Sequence, residues 1–190
     1  MPFALAVVAL IGPQSAMTAI AADRATRPQA PAGLATGSVR GVGTSGLAVP
    51  RFVSLKAQPV NLRKGPGLQY PTAWVLKRAG MPLEVLKEFD AWRQVRDADG
   101  TTGWVHRALL SGRRTATILP WTIKPGAARP IVDVRASPSS GARVTVRFEA
   151  GALVGVQSCD GRWCRIFYEA FRGYIAQKAL WGVYPEERVR

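Results

Sequence analysis

The chain writes one pattern of residues twice, and a pattern repeated at a fixed spacing has to be read as two copies of one small fold. Val60-Asn61-Leu62-Arg63 is answered by Val132-Asp133-Val134-Arg135, Pro66 by Pro138 and Gly80 by Gly151. Trp92-Arg93-Gln94-Val95 is answered by Trp163-Cys164-Arg165-Ile166, Gly103-Trp104-Val105 by Gly173-Tyr174-Ile175, and Leu110 by Leu180. The offset stays close to 71 residues throughout. Each copy carries its own apolar set, in a chain that is 47% hydrophobic, so each can close its own core.

Within a copy, short β-rich runs alternate with turn signals and no segment shows a helical period. In the first copy the strands are read at Val60–Arg63, Trp74–Leu76, Leu83–Leu86, Trp92–Arg96 and Gly103–Val105, followed by Leu109-Leu110. Asp99-Gly100 predicts a type I′ hairpin turn, because both residues tolerate positive φ. The expected fold is all-β: two tandem small β-barrels at 51–113 and 130–184. A proline-restricted linker is expected at 114–129 and a short tail at 185–190.

The first 50 residues read differently. Phe3–Gly12 is an apolar run too short to span a bilayer, and Ala19-Ile20-Ala21-Ala22 is a small-residue cleavage pattern ahead of Asp23. Residues 1–22 are therefore expected to be an export signal. No Lys or Arg precedes the apolar run, so the alternatives are a true start further upstream or an uncleaved N-terminal anchor. Residues 23–50 are rich in Ala, Gly, Pro, Thr and Ser without period, as in a flexible tether. No stable membrane span is expected after processing. The protein is expected to be periplasmic or extracellular.

The residues of the first copy resemble the bacterial SH3 domain family. The resemblance rests on the V-N-L-R-x-G-P opening (Val60–Pro66), Gly80 ahead of Leu83-Glu84-Val85, the W-x-x-V strand (Trp92–Val95), and G-W-V with a leucine (Gly103-Trp104-Val105, Leu110). The second copy departs at Asp133 and at Ala136-Ser137. The resemblance implies small barrels of five to six strands and a binding role at the cell envelope towards peptidoglycan or envelope proteins. It implies no chemistry and no cofactor.

The cysteines are Cys159 and Cys164. Aligning the copies on Trp92 and Trp163 sets Cys159 opposite Glu88 and Cys164 opposite Arg93. These positions are expected to face each other across a hairpin, as a charge pair in one copy and a disulfide in the other. A C-x₄-C spacing with a single histidine, His106, offers no four-ligand metal site, and a catalytic cysteine would have only that histidine as its base. An enzyme is not expected.

Binding residues are sought among exposed aromatics beside basic groups. Trp92 lies three positions from Val95, as Trp163 does from Ile166, so if the aliphatic residue faces the core the indole faces outward. The candidates are Tyr70, Trp92, Arg93, His106, Trp163, Arg165, Tyr168 and Tyr174, whereas Trp74 and Trp104 read as core. Glu84, Glu88, Asp90, Asp97 and Asp99 read as turn formers. A net charge of +14 favours an anionic partner. A cell-wall polymer, held with avidity by two linked barrels, is the first expectation. A scaffold that docks another envelope protein is the second. Nucleic acid is not expected for an exported chain.

Overall fold

The computed structural model describes residues 41–190, so the expected signal segment and most of the expected tether lie outside the described residues. A short hairpin, β1 (Gly41–Val42) and β2 (Ala48–Val49), leads into the first repeat. Its strands are β3 (Arg51–Leu55), β4 (Val60–Arg63), β5 (Thr72–Leu76), β6 (Pro82–Phe89), β7 (Trp92–Arg96), β8 (Thr102–His106) and β9 (Leu110–Ser111). The second repeat follows as β10 (Thr115–Ile118), β11 (Ile131–Arg135), β12 (Val144–Glu149), β13 (Leu153–Asp160), β14 (Trp163–Tyr168), β15 (Phe171–Ala176) and β16 (Leu180–Trp181), with β17 (Arg188–Val189) added beside β13.

Both sheets have the same antiparallel order. The first runs β5-β4-β8-β7-β6-β3-β9 and the second β12-β11-β15-β14-β13-β10-β16. Each encloses a separate apolar cluster. Val53, Leu55, Val60, Leu62, Leu83, Val85, Val95 and Val105 fill the first. Ala116, Ile118, Val134, Val154, Ile166 and Ile175 are among those that fill the second. The glycine of G-W-V and of G-Y-I has a packing cause. A Cβ on Gly103 would lie 2.5 Å from Leu62 Cγ, and one on Gly173 2.5 Å from Val134 Cγ1. Gly80 and Gly151 occupy the same left-handed corner, at φ 77° and 88°, and donate to the equivalent carbonyls of Leu55 and Ile118.

Four expectations are corrected. The sheets are open paths rather than closed barrels: β9 and β16 are two residues long and each pairs with the first strand of its own repeat, leaving β5 and β12 as edges. The segment 114–129 is not purely a linker, because Thr115–Ile118 is the first strand of the second repeat. Parts of the segments read as tether and tail also pair as strands, in the β1–β2 hairpin and in β17. The turn between β7 and β8 spans residues 97–101 in place of a two-residue turn, and in it Gly100 alone has positive φ. The amides of Asp99 and Thr101 donate to the buried Asp97 carboxylate, at 3.0 and 2.9 Å.

The strand missed in both repeats is the first one. β3 is buried along nearly its whole length instead of alternating, because its second face meets the other repeat. Phe52 packs edge-on against Trp181 and tilted against Tyr184, at centroid distances of 5.2 and 4.7 Å. The Ser54 and Thr115 hydroxyls lie 2.6 Å apart, and Thr115 Oγ1 donates to the Gly80 carbonyl. Arg78 donates to the Gly151 carbonyl at 2.9 Å. The repeats are thus docked, not merely tethered.

Replacing Phe52 by Ala is expected to cost about 3 kcal/mol and to split one cooperative urea transition into two; a single transition of unchanged midpoint would contradict the docking. Cys159 and Cys164 sit directly opposite in the β13–β14 register and form a disulfide, with Cα atoms 4.1 Å apart. Its reduction should lower the stability of the second repeat by about 2 kcal/mol for so short a loop, read as the denaturant midpoint with and without reductant.

Candidate functional site

The expected facing pair in the first repeat is present. Glu88 lies opposite Arg93 in the β6–β7 register, and its Oε1 is 3.0 Å from Arg93 Nε and 2.6 Å from Arg51 Nη2. Glu88 is therefore not a turn former. Its carboxylate also accepts from the Ser45 amide and hydroxyl, at 2.7 and 2.8 Å, tying the β1–β2 hairpin to the repeat. Burial pushes its pKa up, but the bonds from the Ser45 amide and Arg51 outweigh that, and it falls from 4.5 to about 2. A carboxylate with a depressed pKa adds stability above its unfolded value, and that contribution is lost as pH falls. The stability difference between the wild type and Glu88→Gln should therefore be full above about pH 4.5 and vanish towards pH 2, measured by urea unfolding across that range.

Arg93 is consequently held inside by its ion pair and not displayed on the outer surface. It is 5% exposed, and its Nη1 donates to the Asp90 and Trp92 carbonyls. Glu84 is likewise no turn former. It lies buried on β6, held by Arg96 Nε at 3.0 Å and by the Tyr184 hydroxyl of the other repeat at 3.0 Å.

Near these groups a cleft of about 780 Å³ lies at the junction of the repeats. The first repeat contributes Phe52, Glu84 and Arg96; the second contributes Trp121, Trp163, Trp181 and Tyr184. The Arg96 guanidinium stands 5.9 Å from the Trp181 ring centroid. Arg162 and Lys178 line the same cleft and are exposed.

Comparing equivalent positions shows why the cleft forms only here. Trp92 pairs with His106 across β7–β8, and the histidine ring packs edge-on against the indole at 5.5 Å. Trp163 pairs with Ala176 across β14–β15, so no ring covers it there. Asp160 Oδ1 accepts from the amides of Arg162 and Trp163 at 2.8 and 2.7 Å. Those bonds hold its carboxyl below the usual range and fix the turn that presents Trp163. Ser111 in the first repeat corresponds to Trp181 in the second: each pairs with the first strand of its own repeat. Gln177 is buried and donates from Nε2 to the Tyr184 and Glu187 carbonyls at 2.7 and 3.0 Å, holding the C-terminal wall. The connection between the first two strands is four residues in the first repeat (56–59) and twelve in the second (119–130). Trp121 stands on the longer one, 52% exposed.

Of the eight candidates drawn from sequence, the structure brings only Trp163 into this cleft. Tyr70 is exposed beside Gly65, and its carbonyl accepts from Arg63. His106 packs on Trp92, and its Nδ1 accepts from the Ala108 amide. Arg165 and Tyr174 face each other across β14–β15. Tyr168 stacks edge-on with Phe148 and borders a separate groove of about 440 Å³. Trp74 is not core but 59% exposed, because the edge strand β5 pairs only with β4 and nothing covers its outer face. Trp104 is half-buried on the outer side of β8, between the buried Gly103 and Val105. Trp121, Trp181 and Tyr184 were missed. A tryptophan set among prolines at 120–130 was the available signal.

Two antiparallel sheets of one topology, each with its own core, define a tandem SH3-like protein. The family model described as "Bacterial SH3 domain" matches residues 56–112 and 128–182, and the chain belongs to that family. The chain is similar to the Bacillus subtilis (strain 168) protein named "Putative N-acetylmuramoyl-L-alanine amidase YrvJ", with 27% identity over 125 residues. That match covers 63% of this chain and 23% of the relative, so the chain spans under a quarter of that curated relative's length. Among solved structures it is similar to NlpC2 from Trichomonas vaginalis, at 18% identity and a TM-score of 0.30, covering 70% of this chain and 48% of that one. It is also similar to an NlpC/P60 family protein from Bacillus cereus ATCC 10987, at 10% identity and a TM-score of 0.28, covering 68% and 55%.

Proposed function

We propose that this chain is a non-catalytic, exported binding module for a cell-wall polymer, and that the ligand lies in the cleft between its repeats. The observation that carries the reading is the convergence of Trp121, Trp163 and Trp181 with Tyr184 on one cavity rimmed by Arg96, Arg162 and Lys178. Indole faces offer flat apolar area to sugar rings, and cationic rims suit carboxylates on an anionic glycan. Family membership and the similarity to a protein named for N-acetylmuramoyl-L-alanine, the sugar–peptide junction of peptidoglycan, support the same ligand class. Binding is then a joint act of two repeats at one site, in place of two equivalent sites acting through avidity.

The non-catalytic reading is supported by how the reactive side chains are used. Both cysteine sulfurs are spent in the disulfide, and His106 caps a 3-10 turn at Arg107–Leu109. Among the described residues, no helix is long and apolar enough to cross a membrane.

The test is co-sedimentation of the chain with insoluble peptidoglycan across a salt series. Trp121→Ala and Trp163→Ala should each weaken retention about tenfold, from an aromatic contact of about 0.5–1.5 kcal/mol plus lost burial. Ala176→His, which sets over Trp163 the ring that covers Trp92, should weaken it similarly, while Trp74→Ala should leave it unchanged. No retention at low salt would overturn the polymer reading.

A further inference from the structure

A third cavity, of about 390 Å³, lies beyond Phe52 from the cleft, and its lining is of another kind. Four arginines, Arg51, Arg93, Arg107 and Arg114, line it together with Ser45 and Ser111, and no acidic residue does. Two carboxylates answer these cations from outside the lining. Glu88 takes Arg51 and Arg93, and Glu187 takes Arg114 through both of its Nη atoms at 3.0 and 2.9 Å. An excess of two positive charges remains. The Arg107 side chain is exposed and has no hydrogen-bonded or ion-paired partner among the described residues. Arg114 Nε is buried without an acceptor. Carboxylates hold three of the guanidinium groups in fixed positions, so little ordering remains when an anion arrives. The Ser111 hydroxyl, which accepts from the Arg113 amide, keeps its own proton as a neutral donor.

We infer that this arginine-lined cavity is an oxyanion site, taking a carboxylate or phosphate group carried by a larger molecule. The volume exceeds that of a lone oxyanion several-fold, given about 30 Å³ for a water. Arg107 keeps its paired N–H donors uncommitted, and such a pair matches either anion, while the other three add fixed positive charge. The inference does not depend on the glycan reading of the cleft, because the residues tested in that reading do not line this cavity.

The full chain is titrated with inorganic phosphate in one arm and acetate in the other, at ionic strength held constant with chloride, and followed by backbone amide NMR. Saturable shifts at Ser45, Arg107 and Gly112 are expected in at least one arm, and the arm that responds names the group. Arg107→Gln, which removes no hydrogen bond or ion pair among the described residues, should weaken that binding at least fivefold. Arg143→Gln, at an exposed arginine between β11 and β12, should leave it within twofold. Absence of saturable shifts in both arms, a loss below fivefold in Arg107→Gln, or an equal loss in Arg143→Gln would overturn the site. Neither small anion contains a sugar, so a failure here leaves the cleft reading standing, and failure of the cleft variants leaves this one.

Discussion

The arrangement depends on one strand being buried from both sides. β3 gives one face to the core of its own repeat and the other to the second repeat, through Phe52 on Trp181 and Tyr184 and through Ser54 beside Thr115. Each sheet alone is a small structure with an open path of strands and a modest core. Docking covers apolar surface that neither repeat could cover by itself. It also sets the distance between the walls of the cleft, since Phe52 belongs to the contact and to the lining of both cavities.

Polar groups then make that contact specific. Burying Glu84 alone would be costly, and it is offset by Arg96 from its own sheet and by the Tyr184 hydroxyl from the other. The same Arg96 approaches the Trp181 ring. Acid, cation, phenol and indole form one connected set, so moving either repeat would strand at least one of them. Glu88 does the parallel task at the other end of β6, where it joins Arg51, Arg93 and the β1–β2 hairpin.

The two repeats share a backbone and have diverged in what they display. At one pair of equivalent positions the first repeat holds a charge pair and the second a disulfide. At another, His106 covers Trp92 whereas Ala176 leaves Trp163 open. A third replaces Ser111 by Trp181. The long connection that carries Trp121 belongs to the second repeat alone. Each repeat supplies one wall, and the residues and the longer connection by which the second repeat differs line its side of the cavity. The shared packing therefore survives in residues such as Gly103 and Gly173, while the residues that line the cleft are concentrated where the copies differ.

Sequence by itself determined the repeat, the strands β4, β6, β7 and β8, and the cross-strand partnership of residues 88 with 93 and 159 with 164. Those are local facts: alternation, turn residues and register across a short hairpin all act within a few residues. It did not determine β3 and β10, because burial on both faces erases the alternation by which a half-exposed strand is recognised. Nor did it set Trp121, Trp163, Trp181 and Tyr184 on one cavity, since a surface made by two docked repeats exists only once their contact is formed. Trp74 and Arg93 show the same division in reverse. Hydrophobicity said core and charge said surface, but an uncovered edge strand exposed the one and a buried carboxylate held the other inside.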